Sequence, residues 1–172
     1  MVYRVKDVMT DEVESCRMDD CLEKAAGIMK ERGCGCVPVT DEAGHVVGLL
    51  TDRDALMCVL RLGRRLADVP VSEACSRSVI CCQAEDTLER AEMLMRVNHV
   101  RRLPVVEPGR VLSGVVSLTD LARHIELSAV DGGSGLSPRH IALVLAETSG
   151  VRRPPDPGES GPHTDVEPFF HG

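Results

Sequence analysis

The sequence predicts an α/β fold made of two copies of one β-α-β-β-α unit. The first observation is an internal repeat. An offset of 66 residues aligns Asp54 with Asp120, and 12 of the 52 positions in 5–56 are identical to their counterparts, where about three are expected by chance. The second is that each copy alternates short β-type runs with helical stripes. The third is physical: a three-stranded sheet with two helices leaves one apolar face uncovered, and a second copy can cover it.

The composition excludes several classes of function. The 172 residues carry a formal net charge of −7, which argues against nucleic-acid binding because that needs a basic face. No window of about 18 apolar residues is present, so no membrane span is expected. The N-terminus lacks the apolar segment of a signal peptide. We therefore expect a cytoplasmic protein.

The eight cysteines do not form a metal-binding or disulfide pattern. The close groupings are Cys34 with Cys36 and Cys81 with Cys82, and neither has CxxC spacing. Most cysteines occupy apolar positions of predicted strands and helices, so we expect them to pack as small hydrophobic residues. A thiol redox role for Cys34 and Cys36 is a minor alternative.

The first copy predicts a regular order of elements. Asp20 and Glu23 have the spacing of a capping box, so a helix is expected to follow them. Gly33 is a plausible stop for that helix. A second helix is expected from Thr51 to about Arg61, and the predicted strands are 13–16, 36–40 and 46–50.

The second copy repeats this order. Asp86 and Glu89 form the equivalent capping box. The last helix of the unit is expected at 118–126, and the predicted strands are 79–82, 102–106 and 112–116. The copies are bounded as 1–66 and 67–129.

The remaining segment, 130–172, has a different character. Gly and Ser at its start indicate a flexible linker, and Ser137-Pro138 can begin a short helix at 138–148. Pro and Gly dominate after Gly150, so a largely disordered tail is expected. Phe169 and Phe170 lie in this tail, either as part of an unstructured end or as a docking motif.

A hydroxyl and a carboxylate three residues apart follow an apolar strand in each copy. Thr51 with Asp54, and Ser117 with Asp120, have the spacing of helix N-caps. A helix N-terminus also offers free N–H groups to an anion. A carboxylate accepts hydrogen bonds only, which suits the paired hydroxyls of a ribose.

Taken in order, these motifs resemble a pair of CBS domains, also called a Bateman module. The resemblance covers about 5–126. It rests on Val-Lys-Asp-Val-Met (5–9), Cys-Val-Pro-Val (36–39), Gly-Leu-Leu-Thr-Asp-Arg-Asp (48–54), Arg-Leu-Pro-Val-Val (102–106) and Gly-Val-Val-Ser-Leu-Thr-Asp (114–120).

The resemblance implies two clefts, each shared between the copies, that bind adenosine compounds of the AMP, ADP and ATP class. Arg101 and Arg102 match a basic position that reaches phosphates in relatives, whereas Gly35 and Cys36 occupy it in the first copy. One implied cleft comprises Thr51, Arg53 and Asp54 with Val79 and Val100. The other comprises Ser117, Thr119 and Asp120 with Val13, Cys34 and Gly35.

The function that this resemblance implies is a non-catalytic ligand sensor. The sequence contains no Walker A, HExxH or GxSxG element. The resemblance also implies a homodimer, and the output of the sensor would pass to a separate effector protein. The alternative is an interaction scaffold whose pockets have lost their ligands, which the absence of a basic residue at Gly35 and Cys36 favours for one cleft.

Overall fold

A computed structural model describes residues 3–128 and 136–149. Helices and strands alternate as the repeat predicts. In chain order they are α1 (Leu22–Arg32), β1 (Cys36–Thr40), β2 (Val46–Thr51), α2 (Asp52–Leu62), β3 (Cys82–Gln83), α3 (Leu88–Val97), β4 (Arg102–Val106), β5 (Leu112–Ser117), α4 (Leu118–Ser128) and α5 (Pro138–Thr148).

The two sheets have the same register but differ at their first strand. In the second copy, β3 pairs parallel to β4, and β4 pairs antiparallel to β5. In the first copy, β1 pairs antiparallel to β2, and the expected leading strand at 13–16 is reduced to one parallel bridge between Cys16 and Val39. The strand expected at 79–82 is shifted to β3. The β-α-β-β-α order is therefore complete in the second copy and abbreviated in the first.

The capping boxes predicted at Asp20 and Asp86 are wrong by one residue. The Asp20 carboxylate accepts a hydrogen bond from the Arg17 backbone N–H at 2.7 Å, and Asp86 accepts one from Gln83 N–H at 2.8 Å. Both carboxylates thus close the turn that precedes the helix and are not available to cap it. The observed N-caps are Cys21 for α1 and Thr87 for α3.

Each copy completes its core with a segment from outside itself. Val5 packs in the core of the second copy, where its N–H donates to Asp86 O at 2.9 Å. Val69 and Val71, which follow the first copy, pack in the core of the first copy, and Val69 O accepts from Leu22 N–H at 2.9 Å. The three valines are fully buried. The exchange joins the copies through buried apolar side chains and backbone hydrogen bonds.

The short helix expected at 138–148 is α5. It contacts α3 and α4, and Leu136 and Val144 are buried in the core of the second copy. The 138–148 segment is therefore packed against the second copy. Phe169 and Phe170 lie outside the described residues. Across 3–128 and 136–149, no helix is long and apolar enough to cross a membrane.

A pair of glycine substitutions tests the close contact between the copies. A Cβ at Gly114 would lie 2.5 Å from the Thr10 carbonyl oxygen, whereas a Cβ at Gly27, inside α1, would meet nothing within 4 Å. We expect Gly114→Ala to lower the free energy of unfolding by about 1–3 kcal/mol because backbone must shift. Gly27→Ala should raise it by about 0.5–1 kcal/mol. Urea denaturation measures both, and an unchanged Gly114→Ala protein would contradict the packing described.

Candidate functional site

A cavity of about 520 Å³ lies between the two copies. The copies contribute opposite walls of it. Its lining includes six residues that the sequence assigns to one cleft, namely Val13, Cys34, Gly35, Ser117, Thr119 and Asp120. The structure therefore brings this predicted set together, and the binding role of these residues stays a prediction.

The first wall is placed by a backbone bridge between the copies. Thr10 and Val115 each donate an N–H to the other's carbonyl oxygen, at 2.9 Å in both directions. Gly114 allows this approach because it has no side chain to meet Thr10. The bridge holds the segment from Thr10 to Val13 against β5, next to the strand end that carries Ser117.

The second wall is the start of α4. The Ser117 hydroxyl donates to Asp120 Oδ2 at 2.6 Å, and the Ser117 backbone N–H donates to the same oxygen at 2.8 Å. The Asp120 N–H donates back to Ser117 Oγ at 3.3 Å. This reciprocal capping fixes the carboxylate at the cavity.

The second carboxylate oxygen of Asp120 remains available to a ligand. Asp120 Oδ1 lies 3.8 Å from Arg123 Nη1, which is an ion-pair distance beyond hydrogen-bond range. The Asp120 side chain is 18% exposed. A hydroxyl group in the cavity can therefore donate to Oδ1 without breaking the cap of α4.

Arg102, which the resemblance matched to a phosphate-contacting position without assigning it to either cleft, lines this cavity. Arg102 begins β4 and pairs directly with Ser117 of β5, so its side chain starts at the same strand end. It then passes over Gly35, where an added Cβ would lie 2.9 Å from Arg102 Nη2. Arg101 is exposed.

The other expected cleft is partly assembled. The Thr51 hydroxyl donates to Asp54 Oδ2 at 2.6 Å, as in the second copy. Ser76 exchanges backbone hydrogen bonds with Leu49 of β2, which brings the segment before Val79 to this side. Arg53 is exposed, and Val100 packs against the core of the second copy.

An arginine that was not predicted as a site residue, Arg77, lies near Cys75, as Asp54 does. Burial raises the pKa of the Cys75 thiol, with a smaller opposing effect from Arg77 and a smaller raising effect from Asp54. Cys75 therefore lies within electrostatic reach of both charged groups. Arg77 occupies the position equivalent to Asp11 at the 66-residue offset, and this comparison was available in the sequence.

Glu12, Glu14 and Arg32 also line the cavity, and the sequence reasoning missed them as well. Glu14 and Arg32 form an ion pair, with Arg32 Nη2 at 2.5 Å from Glu14 Oε1. Side-chain alternation in an extended segment would turn Glu12 and Glu14 away from the face of Val13, so the local sequence pattern did not assign them to the cavity.

The cysteines at the cavity do not form a reactive pair. Burial raises the pKa of Cys36 to about 11, although the charge of Arg102 opposes the shift. Cys36 is therefore a thiol at neutral pH and a poor nucleophile. All eight cysteines are unpaired, and among 3–128 and 136–149 no group of His, Cys, Asp and Glu is arranged to hold a metal ion.

Comparison with known proteins decides the family. Residues 5–61 and 71–127 each match the CBS domain. The chain belongs to the CBS domain family. The resemblance and the α/β fold expected from the sequence are thereby confirmed, and the two copies are a pair of CBS repeats.

Similar proteins span most of the chain. The CBS domain-containing protein YhcV of Bacillus subtilis is 35% identical over 133 residues, which is 77% of this chain and 92% of YhcV. A CBS-domain protein of Agrobacterium tumefaciens is 31% identical, with a TM-score of 0.64 over 71% of this chain and 98% of its own. A conserved CBS domain protein of Thermoplasma acidophilum has a TM-score of 0.73 at 22% identity, over 87% and 78% of the two chains.

Proposed function

We propose that this CBS pair is a non-catalytic regulatory module that binds an adenosine compound of the AMP, ADP and ATP class between its repeats. The observation that carries the proposal is the cavity that joins Asp120 of one repeat to Val13 and Gly35 of the other. A ligand in this cavity contacts both repeats, so its binding free energy depends on the position of one repeat relative to the other. This dependence is what a regulatory module needs.

The lining suits a nucleoside. Asp120 Oδ1 can accept from a ribose hydroxyl, and Ser117 lies beside it at the helix start. Val13 and Ile28 offer aliphatic surface to a flat base. The volume of about 520 Å³ falls within the range of small-molecule sites.

Solved CBS pairs support the class of ligand. The CBS domain pair of protein MJ0100 was solved in complex with 5′-methylthioadenosine and S-adenosyl-L-methionine, with a TM-score of 0.67 at 22% identity over 74% of this chain and 99% of its own. CBSX2 was solved in complex with AMP, with a TM-score of 0.65 at 23% identity, over 74% and 98% of the two chains.

Asp120→Asn tests the site. We expect the variant to weaken binding of adenosine or AMP roughly tenfold, because it removes a charged acceptor from a ribose hydroxyl. Isothermal titration calorimetry measures the change. Asp54→Asn is the matched comparison, since it removes the equivalent capping carboxylate at the start of α2 and so measures what the other expected cleft contributes to binding.

Two results would reject this assignment. A folded wild-type protein that binds none of adenosine, AMP, ADP, ATP and S-adenosylmethionine would reject the sensor. An Asp120→Asn protein with wild-type affinity would reject the role of the cavity, whatever Asp54→Asn does.

An exposed apolar patch on α2 favours self-association, and we propose that the module is a homodimer that passes its output to a separate effector protein. Leu56, Met57 and Leu60 of α2 are 56%, 56% and 68% exposed. The equivalent positions of α4 are Ala122, Arg123 and Glu126. If the dimer forms without dependence on any ligand, the scaffold alternative gains support.

Leu60→Glu tests the patch. A charge at this position should raise the dimer dissociation constant at least about tenfold, since it must be desolvated at the interface. Analytical ultracentrifugation over a concentration series measures this. Leu145→Glu on α5, at a site 44% exposed, is the control and should leave association unchanged. A wild-type protein that is monomeric throughout would contradict the homodimer.

A further inference from the structure

The exposed face of α2 combines apolar and basic side chains. Met57, Leu60 and Arg61 follow Arg53 by four, seven and eight residues, so the four side chains share one face of the helix. All four are exposed. Leu60, at 68%, is the most exposed large apolar side chain of residues 3–128 and 136–149. The α2 patch, formed by Leu56, Met57 and Leu60, is therefore bordered by two arginines.

These two arginines lack carboxylate partners. Within the described ranges 3–128 and 136–149, neither Arg53 nor Arg61 forms a salt bridge. Arg61 Nη2 donates to Cys58 Sγ at 3.7 Å. Asp54, at the start of the same helix, is held by its cap, where it accepts from the Thr51 hydroxyl at 2.6 Å. The border of the patch thus offers two guanidinium groups to an external carboxylate.

The second repeat has no such face. At the 66-residue offset, Thr119, Arg123 and Glu126 occupy the positions of Arg53, Met57 and Leu60. The helices of the second repeat are also contacted by α5, which comes from beyond the repeats. A segment that follows the repeats therefore already packs on one pair of helices, and the fold itself does not require the α2 patch.

A segment of complementary chemistry lies further along the chain. Asp165-Val-Glu-Pro-Phe-Phe170 contains two carboxylates and both phenylalanines of the protein. Aromatic rings pack well on Leu and Met side chains, and guanidinium groups pair with carboxylates or stack on rings. This acidic–aromatic segment therefore matches the α2 patch in both its apolar and its charged groups.

The segment can reach the patch of its own chain. Phe169 follows Ser149, the last described residue, by 20 residues. Such a length of chain spans up to about 70 Å when extended. A compact fold of about 140 residues has a radius of gyration of roughly 14 Å, so the longest path over its surface is roughly 60 Å. The phenylalanines thus have access to the α2 patch wherever α2 lies relative to α5.

We infer that the acidic–aromatic segment docks on the α2 patch of its own chain, with its rings on the apolar side chains and its carboxylates toward the two arginines. This inference rests on the proposed homodimer, because the segment covers the surface through which two copies associate. A tethered segment has an effective concentration that is roughly millimolar. It therefore competes with a second copy at micromolar concentration and regulates association.

The experiment uses the full chain labelled with 4-fluorophenylalanine. Because both phenylalanines lie in the segment, ¹⁹F NMR gives two signals that report only on it. At protein concentrations where the monomer dominates, we expect both signals to differ in chemical shift from those of the same sample in urea. The difference should not change on further dilution, because docking within one chain does not depend on concentration.

Leu60→Glu should return both signals to their positions in urea, because it removes apolar contact and repels the carboxylates of the segment. Arg61→Gln should return them part of the way, since it removes one positive charge. Leu145→Glu is the matched control. It places the same charge at an apolar site of α5 that is 44% exposed, and it should leave both signals unchanged.

Phe169→Ser combined with Phe170→Ser tests the competition. The double variant should lower the dimer dissociation constant about fivefold or more, because the patch is then free for a second copy. Analytical ultracentrifugation over a concentration series measures the constant. Val151→Ser removes an apolar side chain outside the segment and should leave the constant unchanged.

The outcomes separate the two proposals. Signals that coincide with those in urea, or displaced signals that survive Leu60→Glu, overturn the inference and leave the homodimer in place. A double serine variant that dimerises no more tightly than the wild type also overturns the inference. A double serine variant that is monomeric throughout overturns the homodimer. Displaced signals that Leu60→Glu releases, together with tighter association of the double serine variant, support both.

Discussion

Each repeat buries a short segment in the core of the other repeat, and the candidate site depends on this exchange. Val5 completes the core of the second repeat, and Val69 and Val71 complete the core of the first. Neither repeat can bury its apolar residues without the segment that the other supplies. The backbone bridges Thr10–Val115 and Leu49–Ser76 extend this exchange to the strand ends. The boundary between the two repeats, where the cavity lies, is therefore fixed by the same contacts that stabilise the fold.

The location of the cavity follows from this arrangement. β5 ends at Ser117, and α4 begins directly after it. The bridge between Thr10 and Val115 brings the segment from Thr10 to Val13 to that strand end. Each wall thus comes from a different repeat. A ligand that binds both walls favours one relative placement of the repeats, and that preference can be transmitted to a partner protein.

Periodicity and repeat alignment predicted the architecture and much of the candidate site. The strands of each hairpin, the stop at Gly33 and the helix at 138–148 follow from local patterns and are observed. Ser117, Asp120 and Gly35 were grouped through the family resemblance, and the structure places them at one cavity.

The errors arise where a side chain has more than one local partner. Asp20 and Asp86 were expected to cap helices, but each hydrogen-bonds to the preceding turn. The cleft that Arg102 joins was not predicted, because the direction of its side chain depends on its pairing with Ser117 and on the space above Gly35. These contacts join residues distant in sequence, so a local pattern does not contain them.

The central claim is that one ligand contacts both repeats in the cavity beside Ser117 and Asp120. The most direct measurement is the ¹H–¹⁵N NMR spectrum of the assigned protein during titration with adenosine. The account predicts that the amide signals of Ser117 and Thr119 in the second repeat shift together with those of Val13 and Gly35 in the first, at the same ligand concentrations. Shifts confined to one repeat, or to the outer faces of α2 and α5, would contradict it.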